Sequence, residues 1–257
     1  MIHFYCAAVA LLAPDTAPQR LFAEVQTSLH KGYRSLEDYS ETMRIEVRRG
    51  ESRQEILLFK SISKDRYRIL GATSGAPTFM AGHDGVTQWG ALLWSREYME
   101  ERRPNREFAS EWDGSAPPGS ADQSFAFVFQ GGCDLRFYSD PPLSLKEYRE
   151  VTLDGRPALY ARAEAVSPRT GKTASLEFWI HPEHWVLLQF EAKIPAPDGD
   201  TALSGKVIKQ DFAAGLKAED FSLDKDFVSG FKKVPFPKDP PPPGDREGER
   251  RREPLLR

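Results

Sequence analysis

From Pro18 to Glu37, apolar side chains recur every three or four residues: Phe22, Val25, Leu29, Tyr33 and Leu36. That spacing gathers them on one face of a helix and leaves Gln19, Arg20, Glu24, Gln26 and Lys31 largely on the others. Asp15 or Thr16 can cap its start and Pro18 suits a first turn, whereas Gly32 weakens the last turn and is expected to end the helix. After Tyr39 the period drops to two. Met43, Ile45 and Val47 alternate with Thr42, Arg44, Glu46 and Arg48, the pattern of a half-buried strand. Turns at Gly50–Ser52 and Lys64–Asp65 then separate strands over Glu55–Ile62 and Arg66–Leu70. Asp84-Gly85 marks a hairpin between Thr78–Ala81 and Val86–Trp89.

Between Leu92 and about Asp140 the alternation fades. Trp94–Arg103 is charged and is expected to be helical, Ala116–Gly119 reads as a loop, and Ser124–Phe129 is a compact apolar run. So long a stretch without alternation, inside a strand-rich chain, is expected to be a lid or insertion over residues 92–140. From Leu145 the two-residue period returns. Asp154-Gly155 marks another hairpin, and Leu159, Ala161, Ala163 and Ala165 share a face. The same holds for Leu176, Phe178 and Ile180, and, across a turn at His181–Glu183, for Val186, Leu188, Phe190 and Ala192. A last strand runs from about Leu203 to Phe212, and Leu216–Leu223 closes the fold. One helix followed by successive antiparallel hairpins predicts an α+β domain over residues 18–232, built on a single strongly curved sheet.

Composition refines this picture. Of 257 residues, 40% are hydrophobic and 28% charged, ordinary values for a chain with a packed core. The net charge of −3 provides no whole-chain basic field, so nucleic acid is not an expected partner. No apolar run reaches the ~20 residues of a membrane-spanning helix. The ends differ from the body. Phe4–Ala13 has the length of the apolar core of an export signal, although Met1–His3 carries no Lys or Arg, so residues 1–17 are expected to be a signal peptide or a disordered start. Residues 233–257 are rich in proline and charge, with Pro240–Pro243 and Arg246–Arg252, and are expected to be a disordered tail.

Candidate chemistry is sparse. Cys6 and Cys133 are too few for a disulfide framework or a cysteine zinc site, and Cys133 reads as a small buried hydrophobe. His181 and His184 are three apart in a turn containing Pro182, whereas a helical zinc motif needs a spacing of four. His83 beside Asp84 reads as a turn residue. Phosphate-loop, dinucleotide and nucleophile-elbow patterns are missing, so neither an enzyme, a metal nor a cofactor is expected. The positive signal is apolar excess. Trp89, Trp94, Trp179 and Trp185, with Phe125, Phe127, Phe129, Phe178 and Phe190, are many for one sheet and one helix. The hollow of a curved open sheet is too large for its own side chains and must be covered by a helix or a ligand. Parity directs Leu176, Phe178, Ile180, Val186, Leu188 and Phe190 into that hollow. Met43, Ile45 and Val47 line it from the first strand, and Trp179 and Trp185 cover the outside.

The order of these segments resembles the LolA-like superfamily, which includes a bacterial periplasmic lipoprotein carrier, the RseB-type envelope regulators and mycobacterial lipid-carrying lipoproteins. The resemblance rests on the Pro18–Glu37 helix, then Ser35–Val47, the basic strand Lys64–Leu70, His83–Trp89, the hairpin Ser175–Glu191 and the closing Leu216–Leu223. Lys64 stands where the family has a proline, and Ser63 where the carrier has an arginine used in lid closure. The resemblance implies a half-open antiparallel barrel whose apolar cavity is covered by helices and binds acyl chains. It implies an exported, periplasmic, non-enzymatic carrier or binder of a lipid or lipoprotein acyl chain, with only peripheral or transient membrane contact. The alternative is an RseB-like regulatory module that binds an envelope protein on the same fold.

Overall fold

The computed structural model describes residues 18–102, 125–130, 134–139, 143–166, 171–195 and 200–235. The expected export signal, Cys133, the Ala116–Gly119 loop and all but the first residues of the tail lie outside them. The amphipathic stretch forms helix α1 (Pro18–Ser35). It continues past Gly32 for a packing reason. A Cβ there would lie 2.3 Å from the carbonyl oxygen of Trp185 and 2.5 Å from that of His184. The glycine therefore lets the last helical turn press against backbone, and this contact outweighs its poor helix propensity.

The strands follow as β1 (Tyr39–Arg49), β2 (Ser52–Ser63), β3 (Arg66–Thr73), β4 (Ala76–His83), β5 (Thr87–Leu92), β6 (Glu97–Arg102), β7 (Phe125–Gln130) and β8 (Asp134–Ser139). Next come β9 (Ser144–Leu153), β10 (Arg156–Val166), β11 (Thr173–Ile180), β12 (Leu187–Ile194), β13 (Thr201–Asp211) and the two-residue β14 (Lys232–Lys233). Strands β7 and β8 pair only with each other. The others form one twelve-stranded sheet in the order β14-β6-β5-β4-β3-β2-β1-β13-β12-β11-β10-β9, which does not close on itself. All its pairings are antiparallel except that of β14 with β6. This is the half-open, curved antiparallel architecture that the sequence predicts.

Register shifts bend the sheet. One extra residue is inserted at Ile208 opposite β1, at Leu188 opposite β11, at Lys146 opposite β10 and at Thr78 opposite β3. Such bulges add local twist and bend, which curls the sheet around α1. The hollow is filled from β1–β3 and β10–β13. Phe22, Val25, Leu29 and Tyr33 of α1 are buried against Met43, Ile45, Leu58, Phe178, Ile180 and Phe190. On this face β10 carries the half-buried Leu159 and three alanines, Ala161, Ala163 and Ala165, all buried.

Two segments differ from expectation. The expected helix over Trp94–Arg103 is not found in its described part, Trp94–Arg102. That part is a tight turn, with Arg96 at φ 54°, followed by β6, which pairs along its whole length with β5. Met99 and Tyr98 point to opposite sides of the sheet, so the local charge density reflects one half-exposed strand, not a solvated helix face. Leu216–Leu223 closes the fold as a short 3-10 turn (Ala218–Phe221), and the chain then crosses the outer face of the sheet. There Leu223, Val228 and Phe231 cover Trp89, Ala91, Met80 and Tyr98. The Trp89 indole N–H donates to the Phe221 carbonyl at 2.8 Å. The Val234 amide donates to the Tyr98 carbonyl at 2.8 Å, carrying the ordered body just past the expected start of the tail.

Candidate functional site

Most of the residues predicted to line the hollow do face it. Met43, Ile45, Leu176, Phe178, Ile180, Val186 and Phe190 are all buried there, with exposures of 2% or less. Val47 is half-buried at the rim. Under α1 these side chains form a packed core. The Phe22 and Phe178 rings stack at 6.0 Å, and Phe190 lies so close over Gly205 that a Cβ there would sit 2.1 Å from the ring.

Leu188 is a correction. Strict alternation puts it inside with Val186 and Phe190. However, Trp179 pairs with Gln189 and Ile180 with Leu187, so Leu188 is the extra residue of a bulge. Leu187 takes the inner position, buried to 1%. Leu188 instead borders an outer-face depression of about 550 Å³ with Leu153, Lys206 and Ile208. Trp185 is a second correction. It sits in the β11–β12 turn at φ 53° and packs on the core, whereas Trp179 does lie outside, against Tyr160.

The hollow also holds a polar cluster that was not singled out in the sequence. Lys60 and Glu41, both with side chains at 0% exposure, form an ion pair with Nζ 2.6 Å from Oε1. The Tyr39 hydroxyl donates to Glu41 Oε2 at 2.5 Å, and the Tyr33 hydroxyl of α1 approaches the same oxygen at 3.4 Å. Tyr39 in turn accepts from Gln210 Nε2 at 2.9 Å, and Tyr33 accepts the Leu187 amide at 3.2 Å. Burial, and then the neighbouring Glu41 charge, push the Tyr39 phenol well above its ordinary pKa, so it stays a donor. A signal was available: Glu41 is in phase with Tyr39 and Met43, and Lys60 with Leu58 and Ile62, so parity alone puts both charges on the buried face. Sealed from water, this cluster ties the helix to the sheet and presents no acid or base to a substrate.

Beyond α1 the hollow changes character. Cross-strand register places Ile69, Ala81 and Gly90 in one row of the concave face and Gly71, Phe79 and Leu92 in the next. Met99 follows Gly90 on β6. Ile56, Phe79, Ala81, Leu92 and Met99 are only half-buried. The concave side thus has a filled half under the helix and an apolar flank, over β4–β6, that still meets solvent. His83 ends that flank. It is 2% exposed, and its Nδ1 lies 3.0 Å from the Gly85 amide and 3.2 Å from the Asp65 carbonyl, as fits a turn residue. Among the described residues no group of three or more His, Cys, Asp or Glu side chains could hold a metal ion, and no helix is long and apolar enough to cross a membrane.

No family model matches the chain, and no curated protein matches it in sequence. Solved structures with a related arrangement include an uncharacterised conserved protein from Thermus thermophilus, at 11% identity and a TM-score of 0.46, covering 84% of this chain and 99% of that one. A second is the MucA/MucB complex of Pseudomonas aeruginosa, at 15% identity and a TM-score of 0.42, covering 79% of this chain and 60% of that one. A third is a LolA superfamily protein from Nitrosomonas europaea, at 8% identity and a TM-score of 0.35, covering 77% of this chain and 97% of that one. The described residues lay a helix in the hollow of a half-open antiparallel sheet, the architecture that the resemblance in the order of sequence motifs implies.

Proposed function

We propose that this chain is an exported, non-enzymatic carrier or binder of a lipid or lipoprotein acyl chain, and that the chain lies along the concave flank over β4–β6. The observation that carries this reading is the half-buried apolar surface of Ile56, Phe79, Ala81, Leu92 and Met99, continuous with a core that the helix has already filled. Each methylene buried against that surface contributes about 0.8 kcal/mol, so one acyl chain can bind usefully without a charged contact. Export rests on the Phe4–Ala13 run.

The test separates flank from core. Ala81→Phe fills the flank and is expected to abolish uptake of a fluorescent fatty acid while leaving the thermal midpoint nearly unchanged. Ala163→Phe, under the helix, overpacks a filled core and should cost about 1–3 kcal/mol of stability. Native mass spectrometry of protein from its own host should show copurified lipid. Wild-type protein that carries no lipid and takes up no fatty acid would overturn the reading. A stoichiometric protein partner displaced by Ala81→Phe would replace it with the regulatory one.

A further inference from the structure

The two edges of the large sheet differ. One edge, β6, is closed by β14. The other is β9, and no described strand pairs with its outer side. No backbone hydrogen bond from a described turn or loop reaches it either, and Lys146, Arg149, Glu150 and Thr152 are exposed. We infer that this edge is an interface for a second copy of the same chain, paired antiparallel about Tyr148, so that two sheets join into one. The interface is separate from acyl-chain binding in the hollow.

Backbone phase comes first. Asp154 at φ 50° and Gly155 at φ 77° form a two-residue hairpin turn, which makes Leu153 and Arg156 a mutually hydrogen-bonded pair. Counting back by two, Val151, Arg149 and Glu147 bond to β10, whereas Thr152, Glu150 and Tyr148 turn their N–H and C=O groups outward. In a symmetric antiparallel pairing, outward residues must meet outward residues, so the two-fold axis falls on a residue and not between two. Charge then selects the residue. Strand β9 has four charged side chains, Lys146, Glu147, Arg149 and Glu150, two of each sign. An axis on any of these four sets that charge against its own copy. An axis on Tyr148 sets Lys146 opposite Glu150 and Glu147 opposite Arg149, each twice. Glu147 and Arg149 already pair within the strand at 2.5 Å, and the Arg149 guanidinium lies over the Tyr160 ring. Lys146 and Glu150 have no ion-pair partner among the described residues. The bulge leaves Lys146 unpaired with β10 and marks the end of the new ladder. Edge charges of one sign keep copies apart, whereas these draw two copies into one register. A strand of another protein would meet the same backbone groups, but the charge order of β9 is matched by β9 itself.

The test is sedimentation velocity of the full chain from micromolar to submillimolar concentration. A reversible dimer is expected, with a population that rises with concentration and falls as salt is added. Glu150→Lys and Lys146→Glu each turn two attractive contacts into repulsive ones and should weaken dimerisation about tenfold or more, with unchanged circular dichroism spectra. The double variant Lys146→Glu/Glu150→Lys restores opposite charges about the axis and should restore the dimer, a rescue that a merely structural role would not give. Ala81→Phe, which tests the hollow, should leave the dimer intact, so the two readings fail independently. The inference is overturned if the chain is monomeric throughout, if the single reversals leave the dimer unchanged, or if the double variant does not re-form it. It is equally overturned if the chain is monomeric and Glu150→Lys releases a copurified protein, which would make this edge a site for a foreign strand.

Discussion

Glu41 and Lys60 show how much a single position can decide. Each sits where the alternation calls for an apolar residue, and each is fully buried only because the other is present at 2.6 Å. Removing one partner leaves a charge in a water-free interior, so Lys60→Met or Glu41→Leu alone should cost about 3–5 kcal/mol. The double variant Glu41→Leu/Lys60→Met should recover most of that loss, since an apolar pair of similar volume needs no desolvated charge. Urea unfolding of the three variants checks this. Near-additive losses would mean that the pair is stabilised through Tyr39 and Tyr33 and not through mutual contact. Gly32 is the second such residue. In a free helix Gly→Ala stabilises by about 1 kcal/mol. Here the new Cβ meets the Trp185 and His184 carbonyls, which are backbone and cannot swing away. Gly32→Ala is therefore expected to lower the thermal midpoint, against its helix propensity.

At the scale of elements, the β11–β12 turn is a seat for α1 and is expected to weaken in acid. His181 Nδ1 accepts the amides of Glu183 at 3.3 Å and His184 at 3.4 Å, which requires that nitrogen to be unprotonated. The His184 ring stacks on Phe212 at 3.9 Å, and the two imidazoles lie 4.9 Å apart. Burial first, then His184, hold His181 below its ordinary pKa, with Glu183 opposing and Arg156 adding to the shift. A histidine lowered in the folded state binds its proton more readily when unfolded. Stability contributed by this turn should therefore be complete above about pH 6.5 and fall as pH drops below it toward the folded pKa. His181→Asn keeps a short side-chain acceptor for the turn amides and removes the titration, so its unfolding midpoint should depend less on pH between 6.5 and 5 than that of wild type. Equal slopes would place the acid sensitivity elsewhere. Elements also show where reading by pattern is secure. Alternation located the strands from β1 to β5 and from β9 to β13, because each has one face in the core and one in water. It missed β6, where a half-exposed strand carries charge on both faces.

For the molecule as a whole, the outer face is held by the C-terminal crossing. Lys225 and Lys233 both reach Glu100 on β6, and their hydrogen bonds and charge hold that carboxyl below the usual range. The last described pairing is that of Val234 with Tyr98. Deleting residues after Lys238, which are mostly proline and charge, should leave the thermal midpoint within error of the full chain. Ending the chain before Leu223 should lower it clearly, because Trp89 and Tyr98 would lose their cover. A drop in midpoint on the shorter deletion would show that the tail packs on the body.

The amino-acid pattern alone determined the helix and its apolar face, nearly every strand of the large sheet, the hairpin turns at Asp84-Gly85 and Asp154-Gly155, and the side of the sheet on which Met43, Ile45, Leu176, Phe178, Ile180, Val186 and Phe190 lie. Local chemistry suffices for these, because helix and strand periods and turn residues act within a few positions of one another. Only the tertiary structure decided the rest. Parity along one strand cannot reveal a bulge, since a bulge is a mismatch with the partner strand, and so Leu188 went outside and Leu187 in. Nor can sequence spacing show that Gly32 meets the His184 and Trp185 carbonyls, or that Lys60 finds Glu41. Whether the hollow is filled or open depends on where the helix comes to rest across the sheet. Part of that resting place is set by the turn after β11, whose His184 and Trp185 carbonyls meet Gly32, residues far from the helix in sequence and brought to it by the curvature of the whole.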